Sequence, residues 1–210
     1  MGGVIQGAQY EDLRRKASRD LGGAMDVDGW SFDGFGIGGA LEKENLGTIV
    51  GWVTDELPEA KPPRHLLGIS EVDDLFTAIA AGADTFDCVS PPSRVARNSA
   101  VYTRTGRVNL TGSRYRRQFA PIDETCDCYT CTHYTAAYIH HLFRAKEMLS
   151  STLCTIHNER FVVRLVDRIR GSLLDGSFDA LREETTGAYY GSPPGEHRRR
   201  TGACAGVPPA

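Results

Sequence analysis

Between Val4 and Val89, short apolar stretches alternate with amphipathic ones, and this rhythm narrows the possible folds more than any other feature of the chain. Val4-Ile5 reads as a brief strand ending at Gln6-Gly7, followed by a charged helix from Gln9 to Leu21. Phe35-Gly36-Ile37 is a second strand closing at Gly38-Gly39. A helix from about Glu42 to Glu56 then places Leu46, Ile49, Val50 and Val53 on one face. His65 to Ile69 and Val72 to Ala81 form a third strand and helix, with Leu75, Phe76 and Ile79 inward, and Thr85 to Val89 is a fourth strand. Strands separated by helices at this interval predict βαβ units and a parallel sheet, an α/β fold.

Four such units are either a small open sheet or half of a barrel, which closes only with its full set of strands. The pattern alone slightly favours the open sheet. The polar residues tip the balance toward a partial (β/α)8 TIM barrel of about four βα units, because Gln6, Gly38-Gly39, Gly68 and Asp87 fall at or near the C-terminal ends of their strands. That rim is where barrels do chemistry. Each residue also has a plainer reading, since glycines after strands form turns and strand-end aspartates cap helices.

Past residue 90 the character changes. Pro91-Pro92 cannot continue a central strand, and Val101, Tyr102, Val108 and Leu110 around Thr105-Gly106 predict a β-hairpin. Arg94, Arg97, Arg104, Arg107, Arg114, Arg116 and Arg117 form a basic stretch that is either a solvated face or a phosphate-contacting one. Then comes Cys126-Asp-Cys128-Tyr-Thr-Cys131, with His157 following after 25 residues. Three thiolates and one imidazole at this spacing suit a closed, tetrahedral, structural zinc site. His133 and Cys154 compete with His157 for the fourth position. Two helices follow, Tyr134 to Leu149 and Asn158 to Leu174. The first has Tyr134, Ala137, Tyr138, His141, Leu142 and Ala145 at helical spacing; the second has Phe161, Val162, Leu165, Val166, Ile169 and Leu173 inward. In the His140-His141 pair, adjacent positions face different ways, giving one core and one surface role. The domain reading is therefore half a barrel over 1–90, an arginine-rich hairpin with a zinc-binding helical subdomain over 91–184, and a disordered tail over 185–210.

Composition adds limits. A formal net charge of −3 gives no global attraction to polyanions, so any nucleic-acid surface is a local patch. Six cysteines without a disulfide framework suit a reducing cytoplasm. No apolar run reaches membrane-span length and residues 1–20 lack a signal-peptide pattern.

Three strings together resemble bacterial tRNA-guanine transglycosylases, a family also called queuine tRNA-ribosyltransferase: Asp84-Thr-Phe-Asp87-Cys-Val89, Ser93-Arg94-Val-Ala-Arg97-Asn98, and the cysteine cluster with His157-Asn158. The likeness runs from Val4 to about Glu184. It implies an enzyme that exchanges guanine at the wobble position of tRNA for a queuosine-precursor base, working as a homodimer. It implies that Asp87 is the nucleophile forming a covalent bond to ribose C1′, and that Cys126, Cys128, Cys131 and His157 bind Zn2+. Gln6 and Gly39 match base-binding positions, while Arg94 and Arg97 match contacts to the anticodon loop. Ala40 stands where bacterial members usually carry leucine and Leu67 where many carry methionine, so the pocket floor is altered. The family also has an N-terminal half supplying acid–base and base-stacking groups that this chain lacks. The chain therefore reads as the C-terminal half, either acting with that missing half or serving as a catalytically incomplete zinc-containing tRNA-binding fragment.

Overall fold

The structure, a computed structural model, describes residues 2–23, 32–39, 43–57, 63–69, 71–87, 93 and 95–191. Strands β1 (Gly2–Ile5), β2 (Gly34–Ile37), β3 (Arg64–Leu67) and β4 (Thr85–Asp87) pair in parallel, in the order β1-β2-β3-β4. Register aligns Ile5 with Ile37, Ile37 with Leu66, and Leu66 with Phe86. These four residues form one row on a single face. Helices α1 (Glu11–Gly23), α2 (Leu46–Thr54) and α3 (Val72–Ala80) supply Ala17 and Leu21, then Leu46, Val50 and Val53, then Ala78 to the same apolar cluster.

The opposite row is Val4, Gly36, His65 and Thr85. No helix among the described residues covers it, and Val4 remains 49% exposed. Sequential strand order explains this asymmetry. Each crossover steps to the next strand in the same direction and with the same hand, so successive helices land on one face.

The remaining residues form a second body. A turn α4 (Val95–Arg97) leads into an antiparallel hairpin of β5 (Ala100–Thr103) and β6 (Gly106–Asn109), as the sequence predicts. Helices α5 (Tyr129–His133), α6 (Ala136–Ala145), α7 (Leu149–Asp175) and α8 (Phe178–Tyr190) follow. The two bodies meet in one apolar cluster. Val72, Leu75 and Phe76 of α3 pack with Tyr102, with Leu165 and Ile169 of α7 and with Tyr189 of α8.

Several expectations need correction. The second late helix begins at Leu149, nine residues before Asn158, so Cys154 and His157 ride within it. Leu173 is 53% exposed rather than inward. In α6 the buried residues are Ala136, Ala137, Ile139, His140 and Leu142, while Tyr138 and His141 face outward. The third strand stops at Leu67 because Gly68, with φ +76°, turns the chain before Ile69. The tail does not lose structure at 185: α8 continues to Tyr190, with Tyr189 buried against Tyr102 and Phe161. Residues 192–210, Glu42, Cys88-Val89 and the 90/91 boundary lie outside the described residues. No described helix is long and apolar enough to cross a membrane.

Candidate functional site

Parallel pairing gathers the C-terminal ends of all four strands on one rim. Asp87 closes β4 there with its side chain on the uncovered face. His65 Nε2 lies 3.0 Å from Asp87 Oδ1, and the Gly68 backbone N–H donates to the same oxygen at 3.2 Å. Thr85 Oγ1 sits 2.8 Å from His65 Nδ1. A threonine hydroxyl donating to Nδ1 leaves Nε2 as the protonated nitrogen, aimed at the carboxylate. Oδ1 is thereby held by two donors, while among the described residues no donor reaches Oδ2.

Across the rim, Gln6 and Gly39 lie together. A side chain at Gly39, which has φ +90°, would place its Cβ 2.8 Å from Gln6 Oε1 and 3.1 Å from Arg14 Nη2. Between Gln6 and Asp87 runs a trough floored by the missing side chains of Gly36 and Gly38, with Val4 and Leu67 as its walls. A Cβ at Gly38 would meet Leu67 Cδ1 at 3.0 Å, Gln6 Nε2 at 3.1 Å and Val4 Cγ1 at 3.3 Å. Ala40 and Arg94 lie outside the described residues.

His65, Thr85 and Arg14 are functional candidates that sequence reasoning missed. His65 and Thr85 become neighbours only when β3 pairs with β4 in this register. Arg14 sits in a run of charged helix residues, with nothing local to mark it as buried.

The metal cluster is complete within the described residues. Ligand atoms of Cys126, Cys128, Cys131 and His157 all lie within 4.8 Å of one another. Cys128 N-caps α5, its sulfur accepting from Cys131 N at 3.3 Å, which turns the chain tightly enough for two thiols to converge. His157 Nδ1 faces the Cys131 sulfur at 3.2 Å and the Cys128 sulfur at 3.7 Å. Its Nε2 is held 2.8 Å from the Tyr102 carbonyl oxygen, the outer contact that fixes a ligating imidazole. Asn158, the next residue, clamps the same strand by accepting from Tyr102 N at 3.0 Å and donating to Ala100 O at 3.3 Å.

Burial would lower the His157 pKa, but the facing Cys126 and Cys128 sulfurs raise it to about 10. The hydrogen bond between Cys128 and Cys131 pulls the Cys128 thiol down and pushes the Cys131 thiol up. Negative charge therefore collects on sulfur beside a protonatable imidazole, an arrangement that a divalent cation resolves. The four side chains can hold a metal ion, with all four positions filled by protein. The rival ligands are excluded by position. Burial pushes the Cys154 thiol up to about 12, and its side chain packs in an apolar cluster. His133 is exposed and stacks on Tyr129 at 4.4 Å between ring centroids.

The six described arginines of the stretch, Arg97, Arg104, Arg107, Arg114, Arg116 and Arg117, are all exposed. Three of them also have partners within the protein: Arg107 pairs with Glu71 and covers the Tyr102 ring, Arg104 lies 3.7 Å from Glu184, and Arg114 lies over the Tyr115 ring at 4.6 Å. Beside the metal cluster is a cavity of about 340 Å3, with Arg160, Arg164 and Arg168 along α7. These too have partners: Asp127 for Arg160, the Thr125 carbonyl for Arg164 and Glu184 for Arg168.

Comparison with known proteins agrees with this geometry. The family model described as queuine tRNA-ribosyltransferase matches residues 1–191. A protein of that name from Lactococcus lactis subsp. lactis (strain IL1403) is 42% identical over 192 residues, covering 91% of this chain and 49% of the relative. The one from Thermoanaerobacter pseudethanolicus is 44% identical over 171 residues, covering 81% and 44%. The one from Desulforudis audaxviator is 43% identical over 185 residues, covering 87% and 48%. The chain thus spans about half the length of the curated relatives it matches. With its strand-end rim, its Cys3His cluster and a match running from the first residue through the end of α8, this chain belongs to the queuine tRNA-ribosyltransferase family.

Proposed function

We propose that this chain carries the ribose-attacking part of a tRNA-guanine transglycosylase, with Asp87 as nucleophile. The observation that supports this best is the carboxylate itself. Its Oδ1 is fixed by His65 and Gly68 while no donor among the described residues reaches Oδ2, on the sheet face that no described helix covers. A carboxylate held this way is oriented for in-line attack and keeps one oxygen for bonding.

In the proposed reaction Asp87 Oδ2 bonds to ribose C1′ as the bond to guanine breaks, and guanine leaves with the electron pair. The incoming base, having lost its proton, returns a pair to C1′ and releases the carboxylate. Two inversions restore the starting stereochemistry without breaking the RNA backbone. Oxocarbenium character at C1′ is stabilised by the carboxylate beneath it. Gln6 and the Gly39 backbone hold the edge of a base lying in the glycine trough, with Ala40 beside them. Arg94 and Arg97 contact the anticodon loop, the flipped nucleotide being positioned through its phosphates.

The metal at the Cys3His cluster is zinc, chosen by the sulfur-rich donor set and a closed shell. It ties α5 to α7 and hence to the hairpin. The bare sheet face calls for closure. Parallel sheets occur almost only with both faces covered, and sequential order supports a (β/α)8 barrel completed by further strands rather than an open sheet. Partners in this reading are tRNA, guanine or a queuosine-precursor base, and a second copy, in the cytoplasm.

The test is labelled-guanine exchange into tRNA by this chain, alone and mixed with the complementary half of a full-length relative. Exchange that falls by roughly a thousandfold or more in Asp87→Ala, and a tRNA–protein adduct that disappears with it, is the expected result. The exposed arginines favour a second reading, a tRNA-binding fragment without chemistry. Stable tRNA binding with no exchange and no adduct, even with the complementary half present, would establish that reading instead.

A further inference from the structure

Arg14 is fully buried, at 0% exposure, and among the described residues no carboxylate pairs with it. Its Nε donates to Ala8 O at 2.9 Å, and its Nη1 donates to Gly38 O at 2.6 Å and Ile5 O at 3.3 Å. Its Nη2 is buried with no hydrogen-bond partner. A buried charge ordinarily has an opposite charge beside it, and a buried donor left unpaired costs on the order of 1–3 kcal/mol. The buried carboxylate of Asp74, by contrast, has Lys43 at 2.6 Å. Desolvation lowers the Arg14 pKa, the electrostatic sign of a cation without compensation.

The position of this cation matters. Its three carbonyl partners come from the end of β1, the turn after it and the end of β2, so one guanidinium ties together the two strand ends bearing Gln6 and Gly39. The tied turn is conformationally unfavourable. Ala8 sits at φ +48°, and Gly7, at φ +141°, would bring a Cβ to 2.8 Å from the Arg14 backbone nitrogen. The orphan Nη2 lies 3.1 Å from where a Gly39 side chain would begin, next to Gln6 Oε1. Strain and an unpaired buried donor therefore coincide behind one cradle, a combination proteins keep where function requires it.

We infer that Arg14 is a positioning residue for the base site: a buried, uncompensated cation that fixes Gln6 and Gly39 and imposes a positive potential, so that the cradle prefers a purine edge carrying negative charge. This rests on the transglycosylase reading, in which the base departs with an electron pair. A fixed positive charge behind its edge stabilises that charge as it develops, without reorganisation.

The test uses two purines, neutral guanine and xanthine, which ionises near neutral pH, with binding to the whole chain measured across pH 6–9. The absorbance of bound xanthine reports its ionisation directly. In the wild-type chain, bound xanthine is expected to ionise at lower pH than free xanthine, by about one pH unit. Arg14→Met is expected to lose about tenfold more affinity for anionic xanthine than for guanine. Arg14→Lys, which keeps charge but cannot reach all three carbonyls, should bind both purines more weakly yet retain the preference for the anion. A merely structural arginine would weaken both ligands equally in both variants. Should Arg14→Met fail to give a native far-UV spectrum, the wild-type ionisation shift and Arg14→Lys decide the question. Bound xanthine ionising at the same or higher pH than free xanthine overturns the inference while leaving the base site intact. No binding of either purine, by the chain alone or mixed with the complementary half of a full-length relative, overturns both this inference and the transglycosylase reading.

Discussion

The two bodies of this chain are finished to different degrees. The four-stranded sheet buries one face completely under α1, α2 and α3 and leaves the other as a row of Val4, Gly36, His65 and Thr85. The hairpin and helices after Val95 close around their own apolar cluster of Ala96, Val101, Leu110, Tyr115, Ile139 and Leu153, with the Cys3His group beside it. Side chains that can react lie on the unfinished surface, and side chains that can grip a metal lie in the finished body. The difference shows where folding energy is available. A hairpin and helices can be tied together by local ligands, whereas a parallel sheet reaches closure only by adding layers.

Denying the Cys3His cluster the metal it can hold is the largest perturbation of this contrast. Chelation, or Cys128→Ser with Cys131→Ser, removes a contribution that in small zinc sites is on the order of 10 kcal/mol. Amides of α5 and α6 should then lose hydrogen-exchange protection while those of α2 keep theirs. Simultaneous loss in α2 would show that the two bodies are one cooperative unit.

Phe76→Ala probes the seam, since Phe76 is fully buried there and packs against the Phe178 ring at 5.8 Å. A cost of about 3–5 kcal/mol is expected. Denaturant unfolding of the sheet, followed at α2, should shift more than that of the hairpin and helices; an equal shift in both would show that the seam makes them one cooperative unit.

The smallest effect concerns Asp127. Its hydrogen bonds from Arg160 are the main reason its pKa falls to about 2. A carboxyl depressed in the folded state stabilises above its unfolded pKa of about 3.9 and loses that contribution as pH falls toward the folded value. Acid unfolding of the wild-type chain should therefore show a slightly steeper loss below pH 4 than Arg160→Gln. Identical acid profiles would mean the pair is fully screened by solvent.

Much of the sheet was legible because each βα unit carries its own punctuation. Gly38-Gly39 and Gly68 end strands, and Leu46, Ile49, Val50 and Val53 mark a helix face at a spacing that no strand satisfies. The cysteine spacing likewise foretold that three thiols converge, while the fourth position, open among His157, His133 and Cys154, was assigned only by the family resemblance. Three features escaped for physical reasons. The sequence reading ends one helix at Leu149 and starts the next at Asn158, leaving Ser150-Ser151-Thr152 between them. Yet Ser150 and Thr155 hydroxyls return to the Glu147 and Ser151 carbonyls, and α7 runs through them. Past Glu184 the sequence is rich in Gly, Pro, Arg and Ala without periodicity, but Tyr189 completes an aromatic stack that exists only in the tertiary structure. His65 gave no local sign because its partners, Thr85 and Asp87, are supplied by strand register.

Helix α7 has a consequence for how this sequence can vary in length. At 27 residues it is about 40 Å long, and it carries His157 at the metal cluster and Leu165 and Ile169 at the seam on one unbroken rod. Inserting a single residue between His157 and Leu165 would rotate everything beyond it by about 100°, swinging both seam residues into water while the metal ligand stayed in place. Insertions and deletions are therefore incompatible with that stretch. Past the left-handed turn at Gly176 an insertion would leave His157, Leu165 and Ile169 in place, but within α8 it would turn Tyr189 out of the same seam.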